Sequence, residues 1–594
     1  MVPRPPAPER RRCFRATGNG APAPHRRGRS PGNAGSCKGA RGTARQAPTG
    51  GRAIRRRCAG AGAQPRERRW CSGARGTARQ TPTGGRTNRR RGAGAGAQPR
   101  GRRLPLRPPD PPTPRPPRIT NVPRPPGITP LTLARSLCLT LVLGLTACGG
   151  EGVHGKPGAA GVHDPYFPKS GNGGYDVTHY GLTLSYDPRG KRLTGTADIT
   201  ARALQNLSAF HLDLLGMNVS DVTVEGRKAR WSRAGQELTV RPADDLDKGR
   251  TFRATVRYSG SPRTITDPDG SKEGWLRTAD GALGLGEPTG SMAWFPGDHH
   301  PSDKASYDVR VSVPEGLQAV SNGELRSETT SGGRTTYAWH TAEPMASYVA
   351  TLAIGHYDIT RSTTKKGLPV YVAVDPTQAK ASRKVLAGIP GIIDWEAYNF
   401  GPYPFSSTGA IVDRADDAGY ALETQNRPVF PGAPDTATLV HELAHQWFGD
   451  SVTPKSWRDM WLNEGFATYA EWLWQEDHDG ESADEIFHAL YKGDYYEPAD
   501  NSEIWAFPPA DPPDAAHISD PPVYYRGAMV LHKIRRLVGD DAFYDIVQGW
   551  AATYRHRNAD TADFTAYVEK SAPDKDFSGI WDHWLHGEGR PDHP

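Results

Sequence analysis

The feature that most constrains this chain is a pair of histidines, His441 and His445, four residues apart in the stretch LVHELAHQWFGD. In an α-helix this spacing places both imidazoles on one face, one turn apart, so that both can reach a single metal ion. Asp435 or Thr436 supplies an N-cap for such a helix. The five-letter pattern alone also fits an amphipathic helix with two unrelated histidines, so further ligands must decide its meaning.

A third ligand is available on the next predicted helix, in the stretch WLNEGFATYAEWLW. A catalytic zinc ion typically takes three protein ligands and keeps a fourth position for water. Glu464 follows His445 after 18 intervening residues and offers the missing carboxylate. Glu442 lies beside His441, where a carboxylate can accept a proton from water at the ion and pass it to a leaving amine. The sequence therefore predicts one zinc ion held by His441, His445 and Glu464, with Glu442 as general base and acid.

This combined spacing resembles the gluzincin zinc metallopeptidases, and NEGFA around Glu464 resembles the aminopeptidase N family within them. The resemblance covers about residues 172–594. In that family a tyrosine before a basic-Gly step donates a hydrogen bond to the oxyanion of the transition state. The stretch PPVYYRGAMVLHKI fits this pattern, and the matching position is Tyr524, with Tyr525 as its rival.

The resemblance also implies an anchor for the free amine of a peptide substrate. The family carries a glutamate in a Gly-Ala-Met-Glu-Asn segment, and DAGYALETQNRP places Glu423 there, although Leu422 and Thr424 differ from the usual letters. Glu287, seven residues before Trp294, matches a second family glutamate. Two carboxylates facing one ammonium would restrict binding to peptides with a free N-terminus.

The periodicity of the chain predicts two domains between residues 172 and 594. Segments such as YDVTHYGLTLSYD and TFRATVRYSG alternate apolar and polar residues, which indicates an antiparallel β-sheet domain over 172–360. Helical stretches dominate 361–594, the predicted catalytic domain. The family resemblance implies a saddle-like shape for the first domain and a mostly α, thermolysin-like α+β fold for the second. A flexible Gly-rich tether is expected over 149–171.

The first 121 residues predict no conventional core, because Arg, Pro, Gly and Ala dominate them. They contain a repeat with a period of 34 residues, from Cys37 and again from Cys71. Either this segment is a basic disordered arm for nucleic acid, or it is upstream DNA translated from a start codon set too early. The second interpretation is favoured, and no nucleic-acid partner is expected. From residue 149 onward the chain has 42 basic and 62 acidic residues, a formal charge of −20.

The segment 122–148 has the features of a bacterial lipoprotein signal peptide. It contains a basic residue, Arg135, a short apolar stretch and the sequence LTAC, which resembles a lipobox ending at Cys148. Lipidation of this cysteine would anchor an exported protein to the cell membrane, facing outward. All six cysteines lie at or before residue 148, so the exported part has no disulfide and depends on core packing and bound metal.

Together these patterns predict an exported, lipid-anchored zinc aminopeptidase that removes residues from the N-termini of peptides. Within the enzyme class, the alternatives are a metallo-endopeptidase or a peptidase with an added epoxide-hydrolase activity. From another class, a non-catalytic relative would keep the fold and only bind peptides. A scaffold of that kind needs neither Glu442 nor Tyr524, so their presence favours an enzyme.

Overall fold

The computed structural model describes residues 155–415, 417–493 and 502–594. The predicted basic segment, the signal peptide with Cys148, and residues 149–154 of the predicted tether lie outside the described residues. Among the helices that are described, none combines the length and the apolar composition that a membrane crossing requires.

The first domain is built from strands whose side chains alternate between core and surface. In the strand Tyr175–Asp187 a β-bulge between Val177 and His179 shifts this alternation by one residue, so Val177 and Tyr180 both face the core. The strands in chain order are β1 (Lys156–Pro157), β2 (Tyr175–Asp187), β3 (Arg192–Ala203), β4 (Leu207–Asp213), β5 (Asn218–Val224), β6 (Arg227–Lys228), β7 (Arg230–Ala234), β8 (Glu237–Arg241), β9 (Thr251–Gly260), β10 (Thr264–Thr266), β11 (Lys272–Leu276), β12 (Ala282–Leu285), β13 (Lys304–Pro314), β14 (Gln318–Ser321), β15 (Glu324–Ser331), β16 (Arg334–Ala346) and β17 (Leu352–Gly355).

These strands form three sheets. The largest has eight strands in the order β15-β16-β13-β2-β3-β9-β5-β6, and the others have the orders β10-β11-β12-β17-β14 and β1-β4-β8-β7. The pairing is antiparallel except between β2 and β13 and between β1 and β4, which run parallel. The predicted β-rich first domain is therefore confirmed, with two parallel pairs that the antiparallel prediction did not include.

The segment 155–171 differs from the predicted flexible tether, because it packs on both domains. β1 pairs with β4, and the Asp164 side chain accepts hydrogen bonds from Ser456 Oγ and Trp457 N at 2.8 and 3.1 Å. Asp164 is 4% exposed and also lies 3.3 Å from His300 Nε2. Glycine-rich composition indicated flexibility, but these long-range contacts fix the backbone.

The second domain combines a small sheet with helices. The strands form the order β18-β19-β20-β21, and β18 starts at Asp358, so the predicted boundary at residue 360 falls inside this strand. The elements in chain order are β18 (Asp358–Thr363), β19 (Pro369–Val374), α1 (Ala379–Leu386), α2 (Ile389–Asn399), β20 (Thr408–Val412), β21 (Val429–Phe430), α3 (Thr436–Ala444), β22 (Val452–Pro454), α4 (Trp461–Asp477), α5 (Ala483–Lys492), α6 (Gly527–Val538), α7 (Asp540–Thr553), β23 (Arg557–Ala559), α8 (Thr561–Ser571) and α9 (Ser578–Ile580). A mostly helical domain after a β-rich one was predicted and is confirmed.

Helix α4 crosses α6 at two glycines. A Cβ atom added to Gly465 would lie 2.9 Å from the carbonyl carbon of Gly527, a separation that real side chains essentially never adopt. Gly465 therefore needs to be glycine for the helices to pack this closely, and a Cβ atom added to Gly527 would lie 3.1 Å from Gly465 Cα, which is also a tight contact. Gly465 directly follows Glu464, and Gly527 comes three residues after Tyr524. The crossing therefore sets the separation of the Glu464 and Tyr524 side chains.

A lysine from the β domain holds the loop that follows α3. Lys304, the first residue of β13, donates hydrogen bonds to the carbonyl oxygens of Asp450 and Ser451 at 2.8 and 2.9 Å. It also donates to Thr453 Oγ1 at 2.7 Å. This contact joins the two domains next to the helix that carries both histidines.

Candidate active site

A cavity of about 430 Å³ lies where the β domain meets the helical domain. Residues from both domains line it, including Glu287 just after β12 and Glu423 between β20 and β21. The structure thus brings together seven side chains that are spread over more than 200 positions of the sequence. They are Glu287, Glu423, His441, Glu442, His445, Glu464 and Tyr524.

Helix α3 positions the two histidines of the site. Asp435, one of the two residues predicted as its N-cap, accepts a hydrogen bond from Thr438 N at 2.8 Å. The helix ends at Ala444, and His445 follows with helical backbone angles. The two imidazole centroids are therefore only 4.8 Å apart.

Glu464 of α4 faces both imidazoles. Its Oε2 atom lies 3.1 Å from His441 Nε2 and 3.4 Å from His445 Nε2. Ligands at about 2.0–2.1 Å from a tetrahedral zinc ion lie roughly 3.3–3.5 Å from one another. These separations fit three ligands of one ion.

The other nitrogen of each imidazole has an acceptor that orients the ring. His441 Nδ1 lies 2.7 Å from Glu471 Oε1, and His445 Nδ1 lies 3.0 Å from the carbonyl oxygen of Phe448. With the proton on Nδ1, each ring presents its Nε2 lone pair toward Glu464. Two imidazole nitrogens and one carboxylate oxygen are also the donor types of known zinc sites, so the residues fit a zinc ion.

Sequence reasoning missed Glu471. It lies seven residues after Glu464, which is two turns along the same face of α4, and the helical period could have identified it. Its side chain is buried. Its hydrogen bond to His441 joins α4 to α3 in addition to the contact that Glu464 makes.

The charges in this cluster depend on one another. Burial disfavours an ionised carboxyl, but the nearby imidazoles of His445 and His441 outweigh it and lower the pKa of Glu464 to about 2. Burial lowers the pKa of His445, yet the charges of Glu464 and Glu423 raise it to about 9. Burial raises the pKa of Glu442 to about 8, against the effect of both histidines. The site therefore stabilises positive charge, as a divalent metal ion requires.

Glu442 and Glu423 lie beside the ligand cluster. Their carboxylate oxygens and a ring nitrogen of His445 all lie within 4.8 Å of one another. Both glutamates are almost fully buried, at 4% and 2% exposure. A water or substrate atom at the ion would therefore contact the Glu442 carboxylate.

The structure distinguishes the two neighbouring tyrosines. Tyr524 lies in a π-helical turn, Pro522–Arg526, and its ring stacks 6.0 Å from that of His441 in the cavity wall. Tyr525 is not among the described residues that line this cavity. It lines a smaller space of about 30 Å³, whose wall also includes Glu471, Tyr524, His441 and Glu442. Arg526 is buried and donates to the carbonyl oxygen of Trp584, so the basic residue of this motif stabilises the fold.

Glu287 and Glu423 both direct a carboxyl group toward the cavity. Among the described residues, the Oε1 atom of each has no hydrogen-bond partner. Burial raises the pKa of Glu287 well above its ordinary value, and the charge of Glu423 raises it further. Two adjacent buried carboxyls without partners are costly unless a cationic group binds between them.

We expect Glu471→Gln to weaken zinc binding by at least about tenfold, because the amide is a poorer acceptor for His441 Nδ1–H. The measurement is competition for zinc with a coloured chelator. Glu476→Gln is the matched control, since Glu476 is also on α4 but pairs with Arg535. Equal zinc affinities for the two variants would contradict the assignment.

Two family models match the chain. The Peptidase M1 N-terminal domain matches residues 176–349, and the Peptidase family M1 domain matches residues 433–584. Among curated proteins, glutamyl aminopeptidase of Bos taurus is 24% identical over 459 residues, 70% of this chain and 46% of its own length. Endoplasmic reticulum aminopeptidase 1 of Homo sapiens is 24% identical over 445 residues, 68% of this chain and 46% of its own length. The chain thus spans about half the length of the curated relatives it matches.

Solved structures match over nearly their whole length. The M1 zinc metallopeptidase from Deinococcus radiodurans is 30% identical with a TM-score of 0.66, and the match covers 73% of this chain and 98% of that one. A mutant of it bound to a Tyr-Ser-Ala substrate has the same identity and TM-score, with 73% and 99% covered. With its β-rich first domain, its helical second domain and its His-His-Glu cluster, the chain belongs to peptidase family M1.

Proposed function

We propose that this protein is a zinc-dependent aminopeptidase that removes N-terminal residues from peptides. One observation carries the proposal: a single cavity joins the His-His-Glu cluster to two buried carboxyls, those of Glu287 and Glu423, each with an Oε1 atom that has no hydrogen-bond partner among the described residues. The first group suits a metal ion, and the second suits a free ammonium. Relatives named as aminopeptidases, and a structural neighbour bound to a tripeptide substrate, support the same activity.

His441, His445 and Glu464 would hold one zinc ion. Bound there, zinc supplies Lewis-acid polarisation of a peptide carbonyl and lowers the pKa of a water molecule to about 7. Glu471 and the carbonyl oxygen of Phe448 hold the His441 and His445 rings in the orientation that zinc binding requires.

Glu442 is the general base and acid of the proposed reaction. It lies next to His441 on α3, and its carboxyl is close to both His445 and Glu423. In the proposed reaction it accepts a proton from the attacking water and delivers it to the nitrogen of the leaving amine. Burial favours this role, because a carboxyl with a pKa near neutrality both accepts and releases protons at physiological pH.

Tyr524 donates its phenolic hydrogen to the oxygen on which negative charge develops. Burial raises the pKa of this hydroxyl well above its ordinary value, and nearby carboxylates, Glu464 first among them, raise it further. The group therefore stays protonated and remains a hydrogen-bond donor throughout the reaction.

Glu423 and Glu287 bind the ammonium of the first residue. A substrate held in this way places its first peptide carbonyl near the ligand cluster, because Glu423 and His445 lie within 4.8 Å of one another through their functional atoms. In this binding mode one residue lies between the ammonium and the scissile bond, so the cleavage is that of an exopeptidase.

Glu442→Gln should keep zinc but lower kcat by about 10²–10⁴-fold, because the amide cannot accept the proton from water. His445→Ala should instead lose the metal itself. Zinc content by elemental analysis and hydrolysis of aminoacyl anilides, each with and without chelator, measure both effects. Activity of Glu442→Gln near that of the unaltered protein would contradict the mechanism.

Glu423→Gln should raise KM for free aminoacyl substrates by about 30-fold or more, because the ammonium loses a buried charged partner. N-acetylated versions of the same substrates serve as the control and should change little. Equal losses on free and blocked substrates would favour a metallo-endopeptidase. Binding of peptides without hydrolysis would favour a non-catalytic relative, and turnover of epoxides would identify the added hydrolase activity.

The same proposal includes export and a lipid anchor. It is supported by the apolar stretch and LTAC sequence that end at Cys148, which lies outside the described residues. Mass spectrometry of the native N-terminus should find a chain that begins with a lipid-bearing Cys148. The Cys148→Ser variant should no longer be found in the membrane fraction. An unmodified N-terminus upstream of residue 122 would contradict this part of the proposal.

A further inference from the structure

A loop of the β domain extends the cavity beyond the predicted site residues. Residues 267–271 connect β10 to β11, and Asp267 and Asp269 both line the cavity. With these two, the cavity wall carries six carboxyl groups and two imidazoles. No lysine or arginine is among its lining residues in the described part of the chain. The cavity is therefore strongly acidic.

This loop lies next to the proposed amine anchor. The carboxyl groups of Asp267 and Glu273 share a hydrogen bond. Glu273 in turn accepts hydrogen bonds from Thr289 N and Thr289 Oγ1, at 2.9 and 2.8 Å. Thr289 is two residues after Glu287, so the loop is tied to the backbone that presents one of the two ammonium ligands.

A tyrosine in the cavity wall contacts the segment that carries Glu287. Tyr420 lines the cavity, and its hydroxyl donates to the carbonyl oxygen of Glu287 at 3.2 Å. Burial raises the pKa of Tyr420 well above its ordinary value, and the charges of Glu273, Glu287, Asp267 and Glu423 raise it further. Its ring provides a flat surface beside carboxylates, a combination that suits a guanidinium group.

The lining carboxyl groups without another assigned role indicate what this part of the cavity binds. Apart from Glu464, Glu442 and the two glutamates of the amine anchor, the carboxyl groups in the cavity wall are those of Asp267 and Asp269. The unpartnered oxygens of Glu287 and Glu423 take the ammonium, which leaves Asp267 and Asp269 facing the remaining space. An acidic side chain there would be repelled, and an apolar one would leave the carboxylates without a counter-charge.

We propose that Asp267, Asp269 and Tyr420 bind the side chain of the substrate's first residue and select a basic one, arginine above lysine. This inference rests on the proposed aminopeptidase function and names its substrate class. The first residue is the relevant one because the loop is joined through Glu273 and Thr289 to the segment that holds its amine. Arginine is favoured over lysine because its planar cation can stack on Tyr420 while it bonds to a carboxylate.

The test compares zinc-loaded protein with the Asp269→Asn variant on 4-nitroanilides of arginine, lysine, leucine and glutamate. Asp269 is half-buried, and asparagine keeps an acceptor for the Ser271 backbone N–H and Oγ–H, each 2.8 Å away. We expect kcat/KM for arginine to exceed that for leucine. The variant should lower this ratio about fivefold while leucine changes little. Asp358→Asn, at an exposed position in β18, is the charge-matched control and should leave the ratio unchanged.

A binding measurement separates this inference from the proposed function. Calorimetry with zinc-loaded Glu442→Gln should find tighter binding of argininamide than of leucinamide, and adding Asp269→Asn should remove the difference. Equal affinities for the two amides, or a preference for arginine only in the second position of dipeptides, would overturn the inference. Absence of hydrolysis for every free aminoacyl substrate would overturn the aminopeptidase proposal, whereas amide binding needs no turnover and still tests the cavity.

Discussion

The contact of one carboxylate with two imidazoles determines the arrangement of this active site. Glu464 is 4% exposed, and its Oε2 atom lies within 3.4 Å of both His441 and His445. An ionised group buried to this extent is stable only with close partners of opposite charge. Helices α3 and α4 must therefore keep a fixed separation, and the site places its positive charge where a divalent ion would bind.

Two further contacts support that separation. The close approach of Gly465 to Gly527 brings the turn with Tyr524 against the ligand cluster. Lys304 ties the loop after α3 to the β domain through three hydrogen bonds. Since Glu287 also comes from the β domain, the docking of the two domains sets the shape of the cavity. Activity and substrate choice in such a site depend on the β domain as well as on the zinc helices.

Much of the chemistry was predictable because it depends on spacing along single helices. The two histidines and Glu442 lie within five consecutive positions of helical backbone, so their mutual geometry follows from 3.6 residues per turn. The alternation of the strands likewise predicted a β-rich first domain. The composition of 155–171 gave the wrong expectation, because composition reports the flexibility of an isolated chain and not the contacts of Asp164 with Ser456 and Trp457.

The sequence by itself determined the two-domain order, and it predicted the metal-ligand set and the general base. Only the tertiary structure decided that Tyr524 lines the main cavity while Tyr525 lines a smaller space beside it, and that Glu471 orients His441. It also placed the Asp267 loop in the same cavity as Glu423, more than 150 residues away. Local spacing fixes which side chains share a face of one element. Which elements then meet depends on the packing of the whole core, and no short stretch of sequence encodes that packing.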